Sequence, residues 1–197
     1  MNGLRRKAVL AVLALQRGEI VSNERLADVV WAGDPPATPL NTVQRHVSHL
    51  RRVLGSREAI VAHPPGYRLN TIQVETDVAA AEMLIRQGAQ VSDHAHARQL
   101  REALALWRGQ PVADVAGLPW MEEQAGRLEQ LRLRASRALA QTRLALGEHA
   151  ELLPELEALI KEHAFDEQLH AQLMIALYRS GRQADALATY RHRRDLH

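Results

Sequence analysis

Apolar positions recur along the chain at two different intervals, and the change of interval marks its parts. Leu4, Val9, Leu10, Val12 and Leu13 follow a helical spacing over residues 4–16. After a short extended piece at Ile20-Val21, Leu26, Val29 and Val30 form a second helical face within "GEIVSNERLADVVW". Ser22 is placed to cap that helix and Glu24 suits its first turn. Gly33-Asp34-Pro35-Pro36 cannot continue it and marks a loop. In "TPLNTVQRHVSHLRRVLG" the residues Val43, Val47, Leu50 and Leu54 stand at i, i+4, i+7 and i+11, the stripe of a helix facing a core. Thr38 is its expected cap, and Pro39 its first residue, where a missing N–H costs nothing. Beyond Gly55 the helical interval stops. "AIVAH" and "GYRLN", joined through Pro64-Pro65-Gly66, predict a hairpin with Tyr67 turned inward and Arg68 outward. Three helices and a hairpin within 70 residues is the order of a winged helix-turn-helix.

From Asp77 onward only helical spacing remains, predicting segments near 77–88, 93–107, 120–146, 149–163, 167–180 and 183–195. Gly88, Gly109-Gln110-Pro111, Gly147 and Gly181 separate them. Shifting the chain against itself by 34 residues superposes Gly147 on Gly181, Ala150 on Ala184, Leu153 on Leu187 and Leu144 on Tyr178. That is the tetratricopeptide period, in which each helix pair buries its apolar stripe by stacking on a neighbour. The small alanines are expected to let paired helices approach closely. An antiparallel bundle with glycine turns is the alternative. The predicted fold class is mainly α, a winged helix followed by a tetratricopeptide-like helical domain.

Charge separates the same two parts. Residues 1–70 hold ten Lys/Arg against five Asp/Glu, whereas residues 71–197 hold fifteen against eighteen, within a net +2. A basic head on a mildly acidic body suits a polyanion partner. The chain of 197 residues has no cysteine, which fits a reducing compartment and excludes a disulfide framework. The basic start and apolar run of residues 1–15 lack a cleavage site, and no run reaches the roughly 18 apolar residues of a membrane span. A cytoplasmic location without membrane contact is expected.

The side of the 38–55 helix opposite its apolar stripe collects Thr42, Arg45, His46, His49 and Arg52, with Asn41 at the N-terminal end and Gln44 beside it. No Asp or Glu occurs between Asp34 and Glu58. A solvated helix face ordinarily mixes both signs, so the gap points to DNA: Arg and His can donate to guanine edges or phosphates, and Thr and Gln to bases or phosphates. In the hairpin, His63 and Arg68 are the candidate wing contacts, with the His63–Gly66 tip against a minor groove. His46 and His49 form an H-x-x-H pair without a third ligand, so no metal is expected. His94 and His96 are expected to be exposed in a polar loop. Phosphate-loop, dinucleotide, serine-nucleophile and zinc-protease motifs are missing, and Glu122-Glu123 suit a helix start. No catalytic residue, enzyme activity or cofactor is expected.

"NTVQRHVSHLRRVLG" followed by "HPPGYRL" resembles the recognition helix and wing of OmpR-type winged-helix regulators. Together with "LADVVWAGDPPATP", "EALALWRGQPVADV" and "ELEALIKEHAFDEQLHAQLMIALYRSGRQADALATYRH", the chain resembles the Streptomyces antibiotic regulatory protein family. That resemblance implies a DNA-binding domain over 1–71 and a bacterial transcriptional activation domain over 77–197. It implies an actinobacterial activator, with tandem protomers on direct repeats of double-stranded DNA upstream of a promoter, recruiting RNA polymerase. By position, Asn41, Thr42, Gln44, Arg45, His46, His49 and Arg52 would face the major groove or its phosphates. The loop with Gly33, Asp34, Pro35 and Pro36 would be offered to polymerase. The family opens with a small antiparallel sheet that is lacking before the first helix here, often has Arg where this chain has His63, and has an activation domain extending past "YRHRRDLH". A helical-repeat interaction module with a degenerate winged helix that no longer holds DNA is the competing reading.

Overall fold

The computed structural model describes residues 2–87 and 93–194, and its elements follow the order that the apolar spacing predicts. Helix α1 is Asn2–Leu15, strand β1 Val21–Ser22, helix α2 Asn23–Trp31 and helix α3 Pro39–Val53. Strands β2 (Ile60–His63) and β3 (Gly66–Leu69) make the hairpin. The extended piece at Ile20-Val21 becomes its third strand: β1 pairs antiparallel with β3, Val21 opposite Tyr67 and Ser22 opposite Gly66, giving the order β1-β3-β2. Val9, Val12, Leu13, Leu26, Val29, Val30, Val43, Val47, Leu50, Ile60, Tyr67 and Leu69 share one core. Leu10 and Leu54 are partly covered at its edge. Leu4 stays exposed.

The two expected caps come out differently. The Ser22 side chain accepts from the Arg25 N–H at 3.1 Å and caps α2. Thr38 makes no side-chain cap bond. Instead the Thr42 hydroxyl donates back to the Thr38 carbonyl at 3.0 Å, so α3 starts on Pro39 alone.

Packing does not follow sequence order. The described residues fall into two compact units, one built from the ranges 1–80 and 106–130, the other from 81–105 and 131–197. The return of 106–130 to the first unit brings a 3-10 turn at Ala113–Val115 and the start of α6 (Pro119–Ala145). Val115, Met121 and Leu128 are buried in the winged-helix core, with Val112, Leu118 and Trp120 packed at its margin. The Arg25 guanidinium lies over the Trp120 ring, 5.9 Å from its centroid.

The second unit contains most of α4 (Asp77–Gln87), α5 (His94–Ala105) and the later part of α6, then α7 (His149–Glu162), α8 (Glu167–Arg179) and α9 (Gln183–Arg194). Gly147 and Gly181 end α6 and α8 with φ of +86° and +78°, a left-handed turn that glycine adopts without strain. The expected break at Gly88 lies outside the described residues. Ala150 and Ala184 are exposed, so they do not provide the close helix approach. Standing in the first turn of α7 and α9, they face solvent, and two residues on, Leu152 and Ala186 make a buried pair 34 residues apart. Arg137 pairs with Asp166, whose carboxylate also accepts from the Leu169 N–H at 3.1 Å and caps α8. Burial pushes the Asp166 carboxyl up, but the Arg137 and Leu169 hydrogen bonds outweigh it and hold it below its usual value. His94 and His96 lie in the first turn of α5 rather than in a loop. His96 is buried, its ring Nδ1 3.5 Å from the Thr142 hydroxyl, because Asp93 caps the helix through the His96 N–H at 2.8 Å and turns it inward.

Candidate nucleic-acid interface

With Val43, Val47 and Leu50 fixed in the core, the rest of α3 is placed by helical geometry. Asn41, Gln44, Arg45, Ser48 and Arg52 are exposed, at i, i+3, i+4, i+7 and i+11, and form one stripe along the outer face. Thr42 and His49 are half-buried along one edge of it. Ser48 was not singled out by its chemistry, since it is small and neutral. Its spacing from Asn41, Arg45 and Arg52 was the available signal.

His46 is not on this face. It is 6% exposed and stacks on Trp31 of α2, ring centroids 6.3 Å apart and planes at 24°. On the wheel the position falls between Leu50 and the edge formed by Thr42 and His49, nearer the core than the outer stripe. The Arg5 guanidinium of α1 lies over the same indole, 5.5 Å from its centroid. Burial lowers the His46 pKa from its ordinary value of 6.5, and Arg45, Arg6, Arg5 and His49 lower it further. The Trp31 indole therefore links α1 and α3, with the His46 imidazole on one ring contact and Arg5 on the other, and the contribution of His46 to the face is to hold it in place.

At the C-terminal end of α3, Ser48, Arg51, Arg52, Gly55, Ser56 and Arg57 line a shallow depression. Arg51 Nε donates to the Ile60 carbonyl at 2.8 Å, tying α3 to the start of β2. Glu58, the first carboxylate after Asp34, accepts from Gln73 Nε2 at 2.8 Å.

The wing is held at both sides. A Cβ at Gly66 would collide with the Val21 carbonyl and the Ser22 Cα, so the β1–β3 approach requires glycine. Asn23 donates through its backbone N–H and its Nδ2 to the Pro65 carbonyl, at 3.2 and 2.8 Å, fixing the tip against the start of α2. Tyr67 and Leu69 point into the core, while His63 and Arg68 are exposed. The α2–α3 loop leaves its helix through Ala32 and Gly33 at φ +49° and +94°. Gly33, Asp34 and Pro35 are exposed and Pro36 is half-buried.

The face offers guanidiniums, amides and a hydroxyl on a rigid helix, groups that recognise base edges and phosphates. Among the described residues, no group of three His, Cys, Asp or Glu is placed to hold a metal ion. Among those residues, too, no helix is long and apolar enough to cross a membrane.

Residues 4–69 match the family model for the C-terminal domain of transcriptional regulatory proteins, and residues 74–196 that for the bacterial transcriptional activator domain. The chain is 37% identical over 198 residues to the regulatory protein DnrI of Streptomyces peucetius, covering 93% of this chain and 73% of DnrI. It is 37% identical over 194 residues to the regulatory protein AfsR of Streptomyces griseus, covering 96% of this chain and 20% of AfsR. A solved structure of Mycobacterium tuberculosis EmbR in complex with a low affinity phosphopeptide aligns with a TM-score of 0.90 at 32% identity, over 96% of this chain and 52% of that one. The chain thus spans a fifth of AfsR and about half of EmbR.

Proposed function

As the chain belongs to the Streptomyces antibiotic regulatory protein family of transcriptional regulators, with an OmpR-type winged helix and a bacterial transcriptional activator domain, we propose that it binds promoter DNA through α3 and activates transcription. The carboxylate-free outer stripe of α3 carries this reading. Asn41, Gln44, Arg45, Ser48 and Arg52 enter the major groove, with Thr42 and His49 at the edge of the contact. Arg68 and His63 reach the flanking backbone from the wing. Two protomers lie side by side on direct repeats. Gly33, Asp34, Pro35 and Pro36 present a loop to RNA polymerase. Functionally, residues 1–71 are the DNA-binding domain and residues 77–197 the activation domain.

Selection of bound duplexes from a random library tests this reading. Two copies of one short sequence in the same orientation are expected in the winners, and in vitro transcription from a promoter carrying them should rise with added protein. Replacing Asp34 and Pro35 by Ala should remove that rise and leave binding intact. A selection that enriches nothing would leave the chain as a helical-repeat interaction module.

A further inference from the structure

The depression at the end of α3 shares Ser48 and Arg52 with the outer stripe, but its remaining basic residues, Arg51 and Arg57, lie off that stripe. Three guanidiniums, from Arg51, Arg52 and Arg57, share it with the Ser48 hydroxyl and with Ser56, whose hydroxyl is taken up by Gln73 and the Glu58 N–H, and no carboxylate lines it. Arg51 is already fixed by its Nε bond to the Ile60 carbonyl, so its remaining N–H groups are positioned before any ligand arrives. Arg52 and Arg57 are exposed, and neither forms an ion pair among the described residues. Gly55, at φ +73°, has open space where a side chain would stand, so nothing fills the depression from the turn. Glu58, beside Arg57, is held by Gln73. The helix C-terminus contributes only about half a negative charge, far less than three guanidiniums carry. Their mutual repulsion is relieved by an anion with several oxygens, and the guanidinium fork matches phosphate.

We propose that this depression seats one phosphate of a DNA strand and so sets how far along α3 the duplex lies. The inference rests on the DNA-binding reading of α3. Base contacts would then specify the site, while this contact fixes register. Arg57 is its decisive residue, being neither on the outer stripe nor engaged in the fold.

The test compares the whole chain with its Arg57→Ala, Arg57→Gln and Arg57→Lys variants on a random-sequence duplex, by fluorescence anisotropy from low to near-physiological salt. Arg57→Ala and Arg57→Gln should reduce the slope of log K against log salt by about one, a roughly fourfold smaller loss of affinity over a fourfold rise in salt. Arg57→Lys should keep the wild-type slope, and thermal melting should be the same for all four proteins. Wild-type slopes in Arg57→Ala and Arg57→Gln, with binding still lost in Arg45→Ala, would overturn this seat and leave the α3 reading standing. Titration with inorganic pyrophosphate separates the other source of phosphate. Pyrophosphate bound by the wild type but not by Arg57→Ala, with DNA slopes unchanged, would assign the depression to a free phosphoanion instead. A wild type without salt-dependent DNA binding would overturn both readings.

Discussion

His46 shows how much one residue's neighbours decide. Its ring is a hydrogen-bonding group by type, yet between Trp31 and the Arg5–Arg6–Arg45 cluster it serves as an aromatic spacer that must stay neutral. Its folded pKa lies below 6.5, so the unfolded chain takes up the proton more readily. Stability from this residue is complete above about pH 6.5 and is lost as pH falls through the lower folded value. NMR of the imidazole should show His46 titrating below 6.5, and His46→Phe should flatten the loss of stability on mild acidification. Titration of His46 at or above 6.5 would contradict its placement. Gly66 is the complementary case, where the absence of a side chain matters. Gly66→Ala should cost about 1–3 kcal/mol in chemical denaturation, since the new methyl meets the Val21 carbonyl across a paired strand. The sequence showed that Gly66 ends a turn. It could not show the close approach of β1, which depends on a pairing with Ser22, 44 residues away in the chain.

At the scale of elements, periodicity was the most legible signal, because each stripe reports the burial that makes the element stable. Val43, Val47 and Leu50 fixed α3 in register, but the outer stripe was only partly legible: Asn41, Arg45 and Arg52 lie on it, Thr42 and His49 sit half-buried at its edge, and Ser48 was missed. His46 lay near the border between the two faces, where a partner such as Trp31 decides the outcome and no sequence interval does. Capping was half legible. Ser22, in extended backbone, finds the Arg25 N–H, whereas Thr38, at φ −130° and ψ 73°, departs from that geometry and makes no side-chain cap bond. Ser22→Ala should therefore lower stability by about 1 kcal/mol, and Thr38→Ala should change it by no more than a few tenths. Asp166 caps α8 and pairs with Arg137 while nearly fully buried. Its pKa is held low, so its contribution is present at neutral pH and is lost as pH falls below about 3.8. Asp166→Ala should cost about 3 kcal/mol by leaving Arg137 without its counter-charge. A loss no larger than that of Ser22→Ala would show the pair to be a weak surface contact.

For the whole molecule, the two halves of the charge distribution and the change in spacing of apolar residues were visible in the sequence. The contribution of residues 106–130 to the first core was not visible. Val115, Met121 and Leu128 carry ordinary helical spacing that says nothing about which core receives them. Each fully buried side chain of this size contributes about 1.5–3 kcal/mol, against a typical domain stability of about 5–15 kcal/mol. A chain cut after residue 76 should therefore lack a cooperative thermal transition or melt far below the intact protein. A transition at the intact protein's temperature would show the winged helix to be self-sufficient.

The outer stripe of α3 is the proposed DNA contact. Fluorescence anisotropy of the full chain with a random-sequence duplex pool, at low and near-physiological salt, tests it most directly when repeated with the Arg45→Ala/Arg52→Ala variant. With that contact, wild-type affinity should fall steeply with salt, and the variant should keep its helical content and lose binding. Equal binding by the two proteins, or no binding by a well-folded wild type at low salt, would contradict it.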